Sequence, residues 1–140
     1  LHTYFNDLVI SPVYQSESVG FDGDSFLNLV VGVDTDATLD ELNQVLKAIE
    51  DANGRSREGA KFSSRTLDID ILTYGQHDFT ELGVNIPRHE ILTYAFVLKP
   101  LSEVAPDELH PHLEISYKKL WEGFDQQSQP MKLYPITFDF

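Results

Sequence analysis

Two aspartates interrupt an apolar run near the middle of the chain. Asp68 and Asp70 stand among Leu67, Ile69 and Ile71 in the segment SSRTLDIDILTYG. Aspartate is depleted in β-strands, and a carboxylate on a half-buried surface needs a partner. Residues two apart in a strand project to the same face, so the two carboxylates would lie side by side, opposite the apolar side chains. Such a pair repels unless a cation lies between its members.

That cation can be a metal ion or an arginine. Mg²⁺ typically takes one or two protein carboxylates together with waters and substrate phosphates, which suits Asp68 and Asp70. A zinc site fits less well, because the sequence has no cysteine and no histidine pair at helical or hairpin spacing. The alternative is a structural salt-bridge network, in which the aspartates pair with Arg65 or Arg88.

A basic stretch precedes the aspartates. Five of the ten lysines and arginines fall between residues 47 and 65, together with only three acidic residues. Guanidinium groups match phosphate oxygens bidentately, so Arg55, Arg57 and Arg65 can clamp a phosphoryl group. Phosphoryl transfer needs little from the protein beyond positioning and charge neutralisation. The pattern therefore indicates a site for a small polyanionic ligand, although a solvated loop with chance clustering would look the same.

The composition of the whole chain limits its class. A length of 140 residues suits one domain with a single core, and we expect one domain over residues 1–140. The formal net charge of −13 argues against a general nucleic-acid binder and against binding to an anionic membrane surface. No apolar run approaches the roughly 20 residues that cross a bilayer. Because the sequence has no cysteine, it excludes disulfides, and we expect a cytoplasmic protein.

Alternation of apolar and β-branched residues predicts four strands. They are expected over residues 7–17, 26–35, 66–74 and 132–140. Pro135 limits the last of them to the edge of a sheet, because proline has no backbone N–H to donate to a neighbouring strand.

Helical spacing of apolar residues predicts three helices. They are expected over residues 39–53, 94–104 and 116–124. Thr38 and Glu41 form a capping box at the start of the first, and Pro100 predicts a kink or a break in the second. The order of elements predicts an α+β fold: a ferredoxin-like (split βαβ) sandwich with helices packed on a mainly antiparallel sheet.

Several segments, taken together and in order, resemble one family. They are SPVYQSESVG, FLNLVV, IEDANGRSRE, RTLDIDILTYG and AFVLKPLSEVAPD. The combination resembles the 6-hydroxymethyl-7,8-dihydropterin pyrophosphokinases of folate biosynthesis from about Leu8 to about Pro111. The resemblance implies transfer of the β,γ-diphosphate of ATP to the pterin hydroxymethyl group, with release of AMP and with two Mg²⁺ ions. It also implies a monomer whose partners are ATP and dihydropterin, not nucleic acid or membrane.

The resemblance further implies a role for individual residues. The metal ligands would be Asp68 and Asp70, and the catalytic residues would be Arg57, Arg65, Asp68 and Asp70. The ATP-side positions would be Glu50, Arg55, Arg57, Arg65, Ile71 and Arg88. The pterin-side positions would be Ser16, Val19, Phe26, Asn28 and Phe96. An asparagine amide can both donate to and accept from a pterin edge, and the phenylalanines would stack on the ring.

The chain departs from the family at several points around the site. Phe62-Ser63-Ser64 stands where the family usually has Trp-Gly-Pro, Arg88 replaces a histidine, and Tyr94 replaces a basic residue. The opening strand and helix of the family have no counterpart in this numbering, and we expect that they lie outside it.

Two other functions stay open at this point. A paralogue that binds nucleotide or pterin with little or no transfer would account for Phe62-Ser63-Ser64 and Tyr94. A ferredoxin-like regulatory or interaction domain would use the two aspartates only in salt bridges and would bind no Mg²⁺-dependent ligand. His110 and His112 can be read as a metal pair, but a solvated loop is the expected interpretation.

Overall fold

The computed structural model describes residues 8–16, 26–52 and 68–134. Four predicted site residues lie outside the described residues, as does the 62–64 substitution. These four are Val19, Arg55, Arg57 and Arg65. Phe26 is described through its backbone alone.

The described strands form two small antiparallel sheets. One sheet pairs β1 (Leu8–Ile10) with β4 (Val31–Val33). The other has the order β3-β2-β5, with β2 (Val13–Ser16) between β3 (Phe26–Asn28) and β5 (Lys132–Tyr134). Among the described strands β5 lies at a sheet edge, as Pro135 led us to expect, while residues 135–140 of the predicted strand lie outside the described residues.

The predictions of continuous strands over 7–17 and 26–35 were wrong, because each is divided in two. Pro12 has no backbone N–H and cannot continue a ladder. The neighbouring Ser11 instead pairs with Val30: the Ser11 N–H donates to the Val30 carbonyl at 3.0 Å, and the Val30 N–H donates to the Ser11 hydroxyl at 2.9 Å. These two hydrogen bonds connect the interruptions of the two predicted strands, at the point where the chain passes from one sheet to the other.

Helix α1 (Leu39–Ala52) begins at the predicted capping box. The Thr38 N–H donates to the Glu41 carboxylate at 2.8 Å, and the Glu41 N–H donates to the Thr38 hydroxyl at 3.1 Å. Two backbone donors that a helix start leaves without intrahelical partners are thus satisfied reciprocally. Leu42 on the first turn is buried and fixes which face of the helix points inward.

Three further helices follow: α2 (Glu90–Thr93), α3 (Ala95–Val104) and α4 (Tyr117–Glu122). The predicted break at Pro100 does not occur, since α3 continues through it to Val104. Burial of this helix outweighs the one backbone hydrogen bond that proline removes.

The core lies where α2, α3 and α4 meet. Its buried centre consists of Ile91, Leu98, Leu101 and Tyr117. Each such side chain stabilises the fold by about 1.5–3 kcal/mol through removal from water. Burial, aided by Glu108, raises the pKa of Tyr117 to about 12, so its phenol stays neutral.

Helix α3 also packs against strands of both sheets. The Tyr14 hydroxyl on β2 donates to the Glu103 carboxylate at 2.6 Å, and the Lys99 ammonium lies 3.7 Å from the same carboxylate. Burial, together with Glu103, raises the pKa of Tyr14. On β4, a Cβ placed on Gly32 would lie 2.8 Å from Val104 Cγ1, so glycine permits the close approach of strand and helix.

The strand predicted over 66–74 is not present in its described part, residues 68–74. The backbone there does not pair in a ladder. The Ile69 N–H donates to the Glu50 carboxylate instead, and the Leu72 carbonyl accepts from the Arg88 N–H at 3.0 Å.

The described residues are α+β, as predicted, and all of their strand pairs are antiparallel. Across the described ranges, the structure has no helix with the length and apolar character to cross a membrane.

His110 organises the turn before α4, which corrects the expectation of a solvated loop. Its side chain is buried, and its Nδ1 accepts from the backbone N–H of His112 at 3.1 Å and of Leu113 at 3.3 Å. Burial lowers the pKa of His110, the neighbouring His112 lowers it further, and Asp78 opposes this. No group of three or more potential ligands that could hold a metal ion is found in the described part of the chain.

We expect the His110 turn to lose stability in acid. The folded state favours the neutral imidazole, so the stabilisation is full above about pH 6.5 and is lost as the pH falls through the lowered folded pKa. Each unit of lowering corresponds to about 1.4 kcal/mol. In urea unfolding between pH 7.5 and 5, His110→Asn should flatten the dependence of the unfolding free energy on pH, while His77→Asn on an exposed turn should keep it. An equal slope in wild type and His110→Asn would contradict this account.

Candidate active site

The C-terminal turn of α1 is attached to the aspartate segment. The Ile69 N–H donates to the Glu50 carboxylate at 2.6 Å. Hydrogen bonds to an ionised acceptor are shorter and stronger than neutral ones. Since Ile69 lies between Asp68 and Asp70, this one bond fixes the backbone that carries both predicted metal ligands. Glu50, predicted from the resemblance to lie on the ATP side, is therefore brought next to them.

Asp70 forms a long ion pair with Arg88. Arg88 Nη1 lies 3.7 Å from Asp70 Oδ1, and the Asp70 side chain is 61% exposed. An exposed ion pair of this kind contributes little to stability, so the carboxylate can exchange its partner at small cost. The pair that we considered as a salt-bridge alternative thus exists, but it is too exposed and too long to be a strong structural element.

Arg88 has a second and closer partner. Arg88 Nη2 donates to Glu90 Oε2 at 2.8 Å, and the Asn85 amide donates to Glu90 Oε1 at 3.2 Å. Burial raises the pKa of the Glu90 carboxyl, but hydrogen bonds from Arg88, from the Glu90 backbone and from Asn85 outweigh it and lower that pKa overall. Glu90 is therefore an anion that holds the arginine beside the aspartate segment.

The sequence interpretation missed Glu90 and Asn85. The available signal was local: an acid two residues after Arg88, and an asparagine four residues before His89, whose backbone N–H it accepts at 3.0 Å. An asparagine side chain that binds backbone in this way is typical of a turn that precedes a helix.

Asp68 and Asp70 offer the oxygen ligands that Mg²⁺ prefers. Both residues are exposed. Mg²⁺ is usually held by one or two carboxylates and completes its octahedron with waters and phosphate oxygens, so two exposed carboxylates fit a metal that arrives with a phosphate ligand.

A second group of predicted residues lies on β2 and β3. Ser16 pairs in register with Phe26, and Tyr14 pairs with Asn28. Residues directly opposite in an antiparallel pair share a face, as do residues two apart on one strand. Ser16 and Asn28 therefore lie on the face of Tyr14, the face from which the Tyr14 hydroxyl reaches Glu103 on α3.

The Ser16 hydroxyl is buried without a hydrogen-bond partner in the described part of the chain. A buried hydroxyl left unsatisfied costs about 1–3 kcal/mol, so such a group is expected to meet a ligand or water. On the face predicted to bind pterin, this is the polar atom that most clearly fits a bound heterocycle.

Phe96 lies in the first turn of α3 and is half-buried. The Tyr94 ring stacks on it, with ring centroids 5.1 Å apart and planes 22° apart. Tyr94, which stands where the resemblance implies a basic residue, thus stacks on one face of Phe96.

The described site residues therefore fall into two groups. Glu50, Asp70 and Arg88 meet at the aspartate segment, with Asp68 and half-buried Ile71 on the same stretch of chain. Ser16 and Asn28 lie on adjacent strands.

Exposed carboxylates on an α+β fold, one of them beside an arginine, offer the oxygen ligands that Mg²⁺ takes together with phosphates. The chain belongs to the 7,8-dihydro-6-hydroxymethylpterin-pyrophosphokinase family, whose family model matches residues 2–106.

Individual relatives support the same assignment. The chain is 37% identical over 101 residues to a 2-amino-4-hydroxy-6-hydroxymethyldihydropteridine pyrophosphokinase of Pseudomonas aeruginosa. The aligned residues cover 71% of this chain and 62% of the relative. It is 36% identical over 112 residues to the protein of that name from Synechocystis, covering 80% of this chain and 57% of the relative. It is 32% identical over 134 residues to the folic acid synthesis protein fol1 of Schizosaccharomyces pombe, covering 94% of this chain and 18% of that protein. The chain thus spans about three fifths of the length of the first two relatives.

Proposed function

We propose that this protein transfers diphosphate from ATP to the hydroxymethyl group of 6-hydroxymethyl-7,8-dihydropterin and releases AMP, as a step of folate biosynthesis. The observation that carries the proposal is the aspartate segment, where Asp68 and Asp70 are exposed on either side of the Ile69–Glu50 hydrogen bond and Asp70 lies beside Arg88. The names of the relatives support the same reaction class.

In this proposal the pterin hydroxymethyl oxygen attacks the β-phosphorus of ATP. The new bond joins that oxygen to the β-phosphorus, the bond from the β-phosphorus to the α,β-bridging oxygen breaks, and AMP leaves with the electron pair. The hydroxyl proton passes to solvent, since such transfers depend on positioning and charge more than on covalent help from the protein.

The side chains of this chain would position the phosphates and neutralise their charge. Mg²⁺ held by Asp68 and Asp70 would supply positive charge to the phosphate oxygens and orient them. Arg88 would donate to a phosphate through the guanidinium N–H groups that Glu90 does not take. Arg55, Arg57 and Arg65, which lie outside the described residues, keep their predicted roles as further phosphate ligands.

The pterin would lie on the face of β2 and β3 that carries Ser16 and Asn28. The Asn28 amide can donate to and accept from the pterin edge, and the buried Ser16 hydroxyl would gain a partner on binding. Phe96, whose ring stacks on Tyr94, would stack on the pterin ring. Phe26 and Val19 complete the proposed pterin side.

A second candidate function is a paralogue that binds the ligands without efficient transfer. The Tyr94–Phe96 stack favours it, because an aromatic ring stands where the resemblance implies a basic residue that would meet a phosphate. Nucleotide binding without AMP release distinguishes this candidate from the enzyme.

The test of the enzyme is AMP release by the full-length protein, given Mg²⁺-ATP and 6-hydroxymethyl-7,8-dihydropterin. Asp70→Asn should lower the rate by about 100-fold or more, the scale on which loss of one preorganised electrostatic group acts, with the fold retained. Asp107→Asn, which removes an exposed carboxylate from another turn, should release AMP at the wild-type rate. A wild type that binds Mg²⁺-ATP without releasing AMP would favour the second candidate, and undiminished turnover by Asp70→Asn would exclude the role proposed for this carboxylate.

Ser16→Ala should weaken ligand binding without lowering the stability of the fold. Since the hydroxyl has no partner in the described fold, its removal should leave the unfolding free energy unchanged or raised, while dihydropterin binding measured by calorimetry should weaken about tenfold. Ser102→Ala is the matched control, because Ser102 is equally buried but donates to the Lys99 carbonyl. Unchanged pterin affinity in Ser16→Ala would remove Ser16 from the site.

The ferredoxin-like split βαβ arrangement of the complete domain belongs to the same proposal, supported by the antiparallel pairing of the described strands. The number of Mg²⁺ ions, the monomeric state and the cytoplasmic location stay predictions.

A further inference from the structure

Arg88 is held by two carboxylates in unequal ways. Its Nη2 lies 2.8 Å from Glu90 Oε2, whereas its Nη1 lies 3.7 Å from Asp70 Oδ1. The Glu90 side chain is 24% exposed and that of Asp70 is 61% exposed. Glu90 is thus the tight and better shielded partner, and Asp70 is the loose one. When Asp70 takes another ligand, Glu90 still holds the guanidinium in place.

The other end of Arg88 is fixed to the aspartate segment. Its backbone N–H donates to the Leu72 carbonyl at 3.0 Å. The Arg88 backbone therefore lies next to Leu72, two residues after Asp70, and the guanidinium group lies at Glu90. With both ends held, the long side chain has few rotamers left, so it loses less rotamer entropy on binding a ligand than a free arginine would.

Glu90 is itself held by its second oxygen. The Asn85 amide donates to Glu90 Oε1 at 3.2 Å, and His89 Nδ1 lies 3.4 Å from the same oxygen. Asn85 is oriented in turn by the His89 N–H, which donates to its Oδ1 at 3.0 Å. Both carboxylate oxygens of Glu90 are thus engaged, one on the turn and one on Arg88.

We propose that Glu90, oriented by Asn85, is a positioning residue that holds the Arg88 guanidinium beside Asp70, ready to bind the phosphates of ATP. The inference rests on the proposed function and adds to it a residue that acts through Arg88 and not on the ligand. A guanidinium has five N–H donors, so the bond to Glu90 leaves donors for a phosphate.

Two effects of Glu90 on nucleotide binding oppose each other. Its negative charge repels the triphosphate and offsets part of the charge of Arg88, while its hydrogen bond fixes the arginine in advance. If repulsion dominates, removal of Glu90 tightens nucleotide binding. If positioning dominates, as we propose, removal weakens it, and a glutamine that keeps one acceptor oxygen restores part of the loss.

The test is a double-mutant cycle on the full-length protein, read by calorimetry as the dissociation constant of the complex of Mg²⁺ with the α,β-methylene analogue of ATP. We expect Glu90→Ala to weaken binding about tenfold, Arg88→Ala to weaken it at least as much, and the double variant to bind no more weakly than Arg88→Ala alone. Glu90→Gln should lie between wild type and Glu90→Ala, and it also serves if the alanine variant unfolds. Glu122→Ala, an exposed glutamate on α4, is the control for loss of one negative charge and should bind as wild type does.

Unchanged or tighter binding by Glu90→Ala and Glu90→Gln would overturn the inference, as would full additivity of the Arg88 and Glu90 effects in the cycle. Either result in a protein that binds the analogue leaves the proposed function standing. A wild type that binds no Mg²⁺ analogue complex overturns the proposed function, and the role of Glu90 falls with it.

Discussion

The hydrogen bond from the Ile69 N–H to the Glu50 carboxylate determines where the proposed metal ligands lie. It attaches the backbone between Asp68 and Asp70 to the last turn of α1, so the position of both carboxylates follows that helix. The helix start is fixed by the reciprocal capping box of Thr38 and Glu41. A local sequence signal at one end of α1 thus helps to set the position of the proposed metal ligands at the other end.

The aspartate segment is held from its second side by Arg88, whose backbone N–H donates to the Leu72 carbonyl. In the described part of the segment, both attachments form where the backbone has no strand ladder. This leaves the carboxylates at the surface, where a metal–phosphate ligand can reach them, while the closest partner of the arginine is Glu90 and not Asp70. The same arrangement thus keeps the anions exposed and the cation oriented.

The sequence predicted those features whose causes are local. The capping box and helical spacing located α1 to within a residue of its observed end, and the two aspartates stood out because their residue type contradicts their apolar surroundings. The antiparallel pairing and the edge position of β5 also followed from alternation and from proline.

Features set by tertiary contacts were missed or were predicted wrongly. The Ser11–Val30 exchange that divides two predicted strands joins residues far apart in the chain. The strand expected over 66–74 is not formed in its described part, where the Ile69 N–H donates to a glutamate side chain far away in the sequence. His110 is buried, whereas the sequence led us to expect a solvated loop there.

The central claim is that Asp68 and Asp70 hold the metal that accompanies ATP. Anomalous diffraction at the manganese edge, from crystals of the full-length protein with Mn²⁺ and the α,β-methylene analogue of ATP, tests it most directly. The account predicts a manganese peak about 2.1 Å from carboxylate oxygens of Asp68 and Asp70 and from phosphate oxygens of the analogue. Manganese bound to the nucleotide alone, with Arg88 still paired to Asp70, would contradict it.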